Sequence, residues 1–239
     1  MIRRLHKQDS GFSLIELLAA MAIGSLVLAA LTSVISRAVV SSTQTSDRVE
    51  ALQRGRVTMD RVTSLLNSQL CLVKTNGDGT PPIVVGDVNQ IAFYSTLGTV
   101  DSAPTIYRLT YNTTTRRLTE DQYAPSSQVD PTYPSYPATP SRTRVIGTNL
   151  LPNNPDSTGL FSYYPYITTE GPTLGMVGST LATPLDATAK AAAVRVGVGF
   201  TTQPEHTSGA APDPRATRLD GIGVVGSANP GEPSKGVNC

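Results

Sequence analysis

Hydrophobic and polar positions divide the chain into three regimes. From Leu17 to Ser36 no residue carries a charge. A run of about 20 apolar residues is enough to cross a bilayer core as a helix. Beyond it the apolar positions thin to Val49, Leu52, Met59, Val62, Leu66 and Leu70, spaced by three, seven, three, four and four. Those intervals keep to one face of a helix. Asp47, Arg48, Glu50, Arg54, Arg56, Asp60 and Arg61 cover the other sides. Pro is absent from residue 12 to residue 80, so a single helix from Phe12 to about Leu70 is expected, with Gly55 as its weak point.

The third regime has the period of strands. Asn76-Gly77-Asp78-Gly79 and Pro81-Pro82 end the helical pattern. Ile83–Val85 and Ile91–Leu97 read as short strands. Tyr107, Leu109 and Tyr111 alternate with Arg108 and Thr110. Thr115–Tyr123 is the expected return strand after a turn at Asn112–Thr114. Residues 124–158 are interrupted by seven prolines and read as loop, with a strand at Thr143–Leu150 inside it. Leu160–Tyr166 carries an aromatic cluster expected on the sheet. Ala191–Thr202 is the strongest strand pattern, and Ala216–Val225 a weaker one across the Pro/Gly-rich loop 203–215. The fold class is α+β: a long N-terminal helix packed on an antiparallel β-sheet domain with long Pro/Gly-rich loops.

Composition adds limits. Only 15% of residues are charged and the net charge is +1, which provides no overall field for nucleic acid. With 20 Gly, 18 Pro, no Trp and 5% aromatics, the body reads as loop-rich with a modest core. Cys71 and Cys239 are far apart; in an exported chain they are candidate disulfide partners, the alternative being two unpaired thiols.

The chain starts with a leader made basic by Arg3, Arg4 and Lys7, which should stay cytoplasmic and place the bulk of the chain outside. Glu16 sits near the head of the apolar run. A carboxylate at a bilayer centre costs on the order of 2.5–3.5 kcal/mol, less near the edge, and is a functional candidate by default. The alternative is an interfacial Glu favoured by the helix dipole.

Gly11-Phe12-Ser13-Leu14-Ile15-Glu16-Leu17-Leu18, behind a basic leader and ahead of a spanning segment, resembles the prepilin motif of type IV pilins and type II secretion pseudopilins. The resemblance implies cleavage after Gly11 by a prepilin peptidase and N-methylation of Phe12. It implies that Glu16 pairs with the terminal ammonium of a neighbouring subunit, an attraction strengthened in low dielectric. The expected divisions are a removed leader (1–11), a membrane and filament-core helix (12–40), an amphipathic helix half (41–71) and an extracytoplasmic β-rich domain (72–239). The strand succession QIAFYS, IYRLTYN, RRLTED, VIGTNLL, GLFSYY, VRVGVGF is similar to that of J-type minor pseudopilins and PilW-like minor pilins.

Chemistry for catalysis is sparse. His6 lies in the leader and His206 in a loop, with no Cys–His or His–His pair at ligand or nucleophile spacing and no P-loop. No cofactor or metal site is expected; Asn76–Gly79 reads as a turn more than a calcium loop. Glu205, Asp213, Arg215, Arg218 and Asp220 read as loop charges, and Asn112-Thr113-Thr114 is a formal glycosylation sequon. Three functions remain in view. The first is a non-catalytic minor pilin or pseudopilin in the inner membrane that assembles with other pilins and primes or caps a filament. The second is a tip adhesin or DNA-binding pilin using the Tyr/Pro loop at 124–140 or a basic patch of Arg116, Arg117, Arg142 and Arg144. The third is a membrane-anchored enzyme, which would need a cluster of ionisable residues that the sequence lacks.

Overall fold

The computed structural model describes residues 13–73, 79–97, 104–126, 135–153, 159–169, 173–205, 213, 216–226, 228 and 232. The chain divides into two compact units, Met1–Ser46 and Asp47–Cys239. Helix α1 (Leu14–Asn67, 54 residues) starts in the first and ends in the second. Freedom from Pro and a high content of Ala and Leu favour so long a helix. Its end comes three residues before the expected Leu70. There the Ser68 hydroxyl donates to the Leu65 carbonyl at 2.7 Å, and Gln69 leaves the helix to bridge Ser95.

Within the second unit a five-stranded antiparallel sheet runs β3 (Ile83–Gly86), β4 (Gln90–Ser95), β5 (Thr105–Asn112), β6 (Arg117–Tyr123), β7 (Arg142–Gly147) in chain order. The period of two holds in β5, where Tyr107, Leu109 and Tyr111 are buried. The turn before β6 is Thr113–Arg116, one residue beyond the expected one. Arg116 takes φ 54°, and the Asn112 Oδ1 accepts from the Thr114 and Thr115 amides at 3.0 and 2.9 Å. A small hairpin pairs β1 (Leu72–Val73) with β2 (Gly79–Thr80).

The expected strand Thr143–Leu150 is two strands in two sheets. β7 ends at Gly147, Asn149 turns the backbone at φ 54°, and β8 (Leu150–Pro152) enters a second antiparallel sheet. That sheet centres on β10 (Arg195–Thr202). One edge of β10 pairs with β11 (Thr217–Val224); the other pairs successively with β8 and with β9 (Phe161–Tyr164). The stretch expected as one strand from Ala191 begins as helix α2 (Ala187–Ala192). An Ala-rich run has high helix propensity, and Asp186 caps it by accepting from the Ala189 amide at 2.7 Å.

One core holds the body together. Met59, Val62, Leu65 and Leu66 of α1 meet Ile91, Phe93, Leu109 and Leu118 of the first sheet and Val196, Val198 and Phe200 of the second. Burying each such side chain contributes roughly 2 kcal/mol. The helix face differs from the expected one at its upper end. Ala51, Gly55 and Thr58 are buried, whereas Val49 is exposed. Small residues are required because the second sheet comes close. A Cβ on Gly55 would lie 2.4 Å from Leu219 Cδ1, one on Gly221 2.3 Å from Met59 Sδ, and one on Gly223 2.3 Å from Leu66 Cβ. The weak point of the helix is thus one of its close contacts with the sheet.

Candidate assembly site

Two features of α1 bear on function: an uncovered apolar half in the first unit and a polar anchor in the second. Ser13 opens the helix. Its side-chain oxygen accepts from the Glu16 amide at 3.3 Å, and its carbonyl accepts from the Glu16 and Leu17 amides. Ser13-x-x-Glu16 has the spacing of a capping box, a signal present in the sequence and missed there. Glu16 lies exposed in the first turn, where the positive end of the helix dipole favours a carboxylate. Gly11 and Phe12, the expected processing residues, lie outside the described residues.

From Leu14 to Val40 the large apolar side chains are all exposed within the chain, among them Leu14, Met21, Leu26, Leu31 and Val40. The segment is long and apolar enough to cross a membrane. Three of its hydroxyls are turned inward to the backbone: Ser25 donates to the Ala22 carbonyl at 2.8 Å, Thr32 to Ala29 at 2.9 Å, Ser36 to Thr32 at 2.8 Å. These three are therefore satisfied without a partner outside the helix, as an apolar environment requires. A Cβ on Gly24 would meet nothing, so this face offers a notch for another backbone.

The anchor lies around Glu120 of β6, whose side chain is fully buried. Arg61 of α1 donates Nε to Oε2 at 2.9 Å and Nη2 to Oε1 at 2.8 Å. Arg144 of β7 donates to Oε2 at 2.8 Å and Gln122 to Oε1 at 2.7 Å. Burial alone would raise the Glu120 pKa; the hydrogen bonds from Arg61, Arg144 and Gln122 outweigh it and bring it down to about 2. The same bond raises the Arg61 pKa. Nearby, Arg54 donates to the Gln203 carbonyl at 2.9 Å and pairs with Glu205. Arg54 and Arg61, expected on the solvent side of the helix, thus face the body. The sequence shows Leu118, Glu120 and Gln122 at alternate positions of one strand face, but not which cation meets them.

The four arginines offered as an alternative basic patch do not gather on one site. Arg144 is committed to Glu120, and Arg116 donates to the Gln203 Oε1 at 3.2 Å. Arg117 pairs with Asn112 at the start of β6, while Arg142 pairs with Gln122 at its far end. Five residues of strand separate those ends, about 17 Å. Arg218 and Asp220, read as loop charges, lie on β11 and pair at 3.0 Å. Tyr136 of the Tyr/Pro loop packs against Tyr94 and donates to the Pro104 carbonyl at 2.6 Å. His206, Arg215, Tyr133 and the Asn76–Asp78 turn lie outside the described residues. Among the described residues no three His, Cys, Asp or Glu side chains gather as a metal site.

The family described as the prokaryotic N-terminal methylation motif matches residues 6–32. That motif is the signature of prepilin-like proteins of the type IV pilin and pseudopilin class, to which the N-terminal segment of this chain is similar. Proteins with the motif are processed by prepilin peptidase, assemble with other pilin subunits and are generally non-catalytic. No curated protein matches the chain.

Proposed function

We propose that the chain is a non-catalytic minor pilin or pseudopilin that primes or caps a type IV pilus-like filament. In this reading the leader 1–11 is removed after Gly11, Phe12 becomes the methylated N-terminus, and the apolar half of α1 holds the subunit first in the inner membrane and then in the filament. The observation that carries it is the methylation motif running directly into a helix whose apolar side chains are uncovered from Leu14 to Val40. An exposed apolar surface of that length needs lipid or sister helices to cover it. Glu16, exposed in the first turn, is the residue that meets the terminal ammonium of a neighbouring subunit. The body is clasped by a Cys71–Cys239 disulfide. Cys71 is not a free thiol, and Cys239 lies outside the described residues.

Mass spectrometry of the protein recovered from membranes tests the reading. The expected mature chain starts at Phe12 and carries one methyl group. A chain still starting at Met1 sinks the proposal.

A further inference from the structure

The outer face of the second sheet carries a groove of about 650 Å³, lined by residues of β9, β10, β11 and the segment around Thr180. A cavity of several hundred Å³ matches a ligand far larger than a simple ion. It exists because β10 presents Gly197 and Gly199 on that face. Their missing side chains let Ser162 and Tyr164 lean in from one flank and Asp220 and Asn153 from the other. The groove was not legible in the sequence, where VRVGVGF reads as a strand with a buried Val face and nothing more.

The polar groups of the groove are unevenly committed. Asp220, its one carboxylate among the described residues, is held by Arg218 at 3.0 Å and by the Asn153 amide at 2.9 Å. Asn153 is further tied to the Leu219 carbonyl and to Thr201. Donors, by contrast, remain open. Arg195 lies with its Cζ 5.6 Å from the Tyr164 ring centroid and has no carboxylate partner among the described residues, and its Nε is buried without a hydrogen bond there. Tyr164 accepts from Ser162 at 3.2 Å, leaving its own hydroxyl proton available. Among the described residues, two arginines against one aspartate leave the groove with a net positive charge.

A guanidinium that is partly buried and unpaired is completed by a carboxylate or another oxyanion, to which it can donate twice in one plane. The hydroxyls of Tyr164, Thr180 and Thr183 lie around the rest of the cavity, beside apolar Val88, Leu181 and Ile222 that can meet the non-polar face of a sugar ring. The geometry points to a binding site for a short acidic saccharide, its anionic group seated on Arg195 and its hydroxyls on the Tyr164 and Thr183 side of the groove. The anionic group is a uronate or a sulfate, which share this chemistry. The site is independent of the assembly reading, because all its residues belong to the folded body.

Calorimetric titration of the full chain in detergent micelles tests the site with three probes: trigalacturonate, a heparin-derived tetrasaccharide and neutral maltotriose. Saturable binding of at least one acidic probe is expected, and the tighter of the two identifies the group as uronate or sulfate. Arg195→Gln should weaken that binding by about ten-fold or more, the loss expected for a hydrogen-bonded charge. Tyr164→Phe, which keeps the ring beside Arg195, should weaken it by a smaller factor. Arg142→Gln, outside the groove, should leave it unchanged. No saturation by either acidic probe, equal binding of maltotriose, or unchanged affinity in both groove variants would overturn the proposal. Filament incorporation of Arg195→Gln, measured in parallel, should match wild type, so failure here is separable from failure of the assembly reading.

Discussion

Arg61 on the helix and Glu120 on β6 meet in a two-pronged pair, 2.9 and 2.8 Å, with the carboxylate wholly removed from solvent. Arg144 and Gln122 complete the oxygen shells. A buried carboxylate survives only with such a full set of donors. The pair fixes the rotation of α1 over the first sheet, because only one helix position can supply the fork.

Loss of that charge should be felt globally and with pH. The Glu120 pKa is depressed from 4.5 to about 2. The stabilisation is therefore complete above pH about 4.5, shrinks as the pH falls, and is absent below pH about 2. Its size is on the order of 3 kcal/mol. Glu120→Gln should lower stability at pH 7 by about 3 kcal/mol or more and flatten the acid limb of the profile. Urea unfolding at pH 7 and pH 3 checks both; a wild-type slope in the mutant refutes the assignment.

Glycines in and against the helix should respond by position, not by propensity. Gly223→Ala sets a Cβ 2.3 Å from Leu66 Cβ, a neighbour fixed to the helix backbone. Overpacking of about 1–3 kcal/mol is expected. Gly55→Ala, which improves helix propensity by about 1 kcal/mol, should still destabilise because Leu219 and Thr202 stand in the way. Gly24→Ala meets nothing and should leave the unfolding midpoint of the body unchanged.

Glu16→Ala offers a clean test of the assembly role. The Ser13 cap uses the Glu16 backbone amide, so that bond outlasts the substitution. Membrane insertion and body folding should match wild type while filament incorporation drops at least several-fold. Immunoblots of sheared filaments against membranes give the ratio. Wild-type incorporation would remove Glu16 from the assembly contact.

Reduction should loosen the body. If Cys71 and Cys239 are bridged, the intact protein is 2 Da lighter than its reduced form, and dithiothreitol lowers stability by about 2–4 kcal/mol. Two alkylatable thiols in the unreduced protein would discard the bridge.

Much of the architecture was legible because it follows from periodicity. The uncharged run Leu17–Ser36, the alternation of Tyr107, Leu109 and Tyr111, and the Val face of β10 each report one dominant force, burial or its absence. The failures fall where another force decided. Asn149 breaks a continuous apolar stretch by turning the chain from one sheet to the other. Ala191 and Ala192 follow helix propensity behind the Asp186 cap. The inward side of α1 is set at Gly55 by how closely β10 and β11 approach and at Thr58 by Ile146 and Gly147 of β7, which large-residue spacing cannot reveal. At the candidate site, Glu16 was readable from its improbable place in an apolar run. Glu120 was not, since an acid in a short strand is ordinary until Arg61 and Arg144 arrive from other segments.

The back-bonded hydroxyls of Ser25, Thr32 and Ser36 leave those three positions with no donor to offer a neighbour. In a filament built as proposed, Glu16 near the head of each rod then supplies a directional link, while most of the rod below it coheres through shape and apolar contact. Under tension those apolar contacts can shift lengthwise, and the pair at the head sets where each rod settles again.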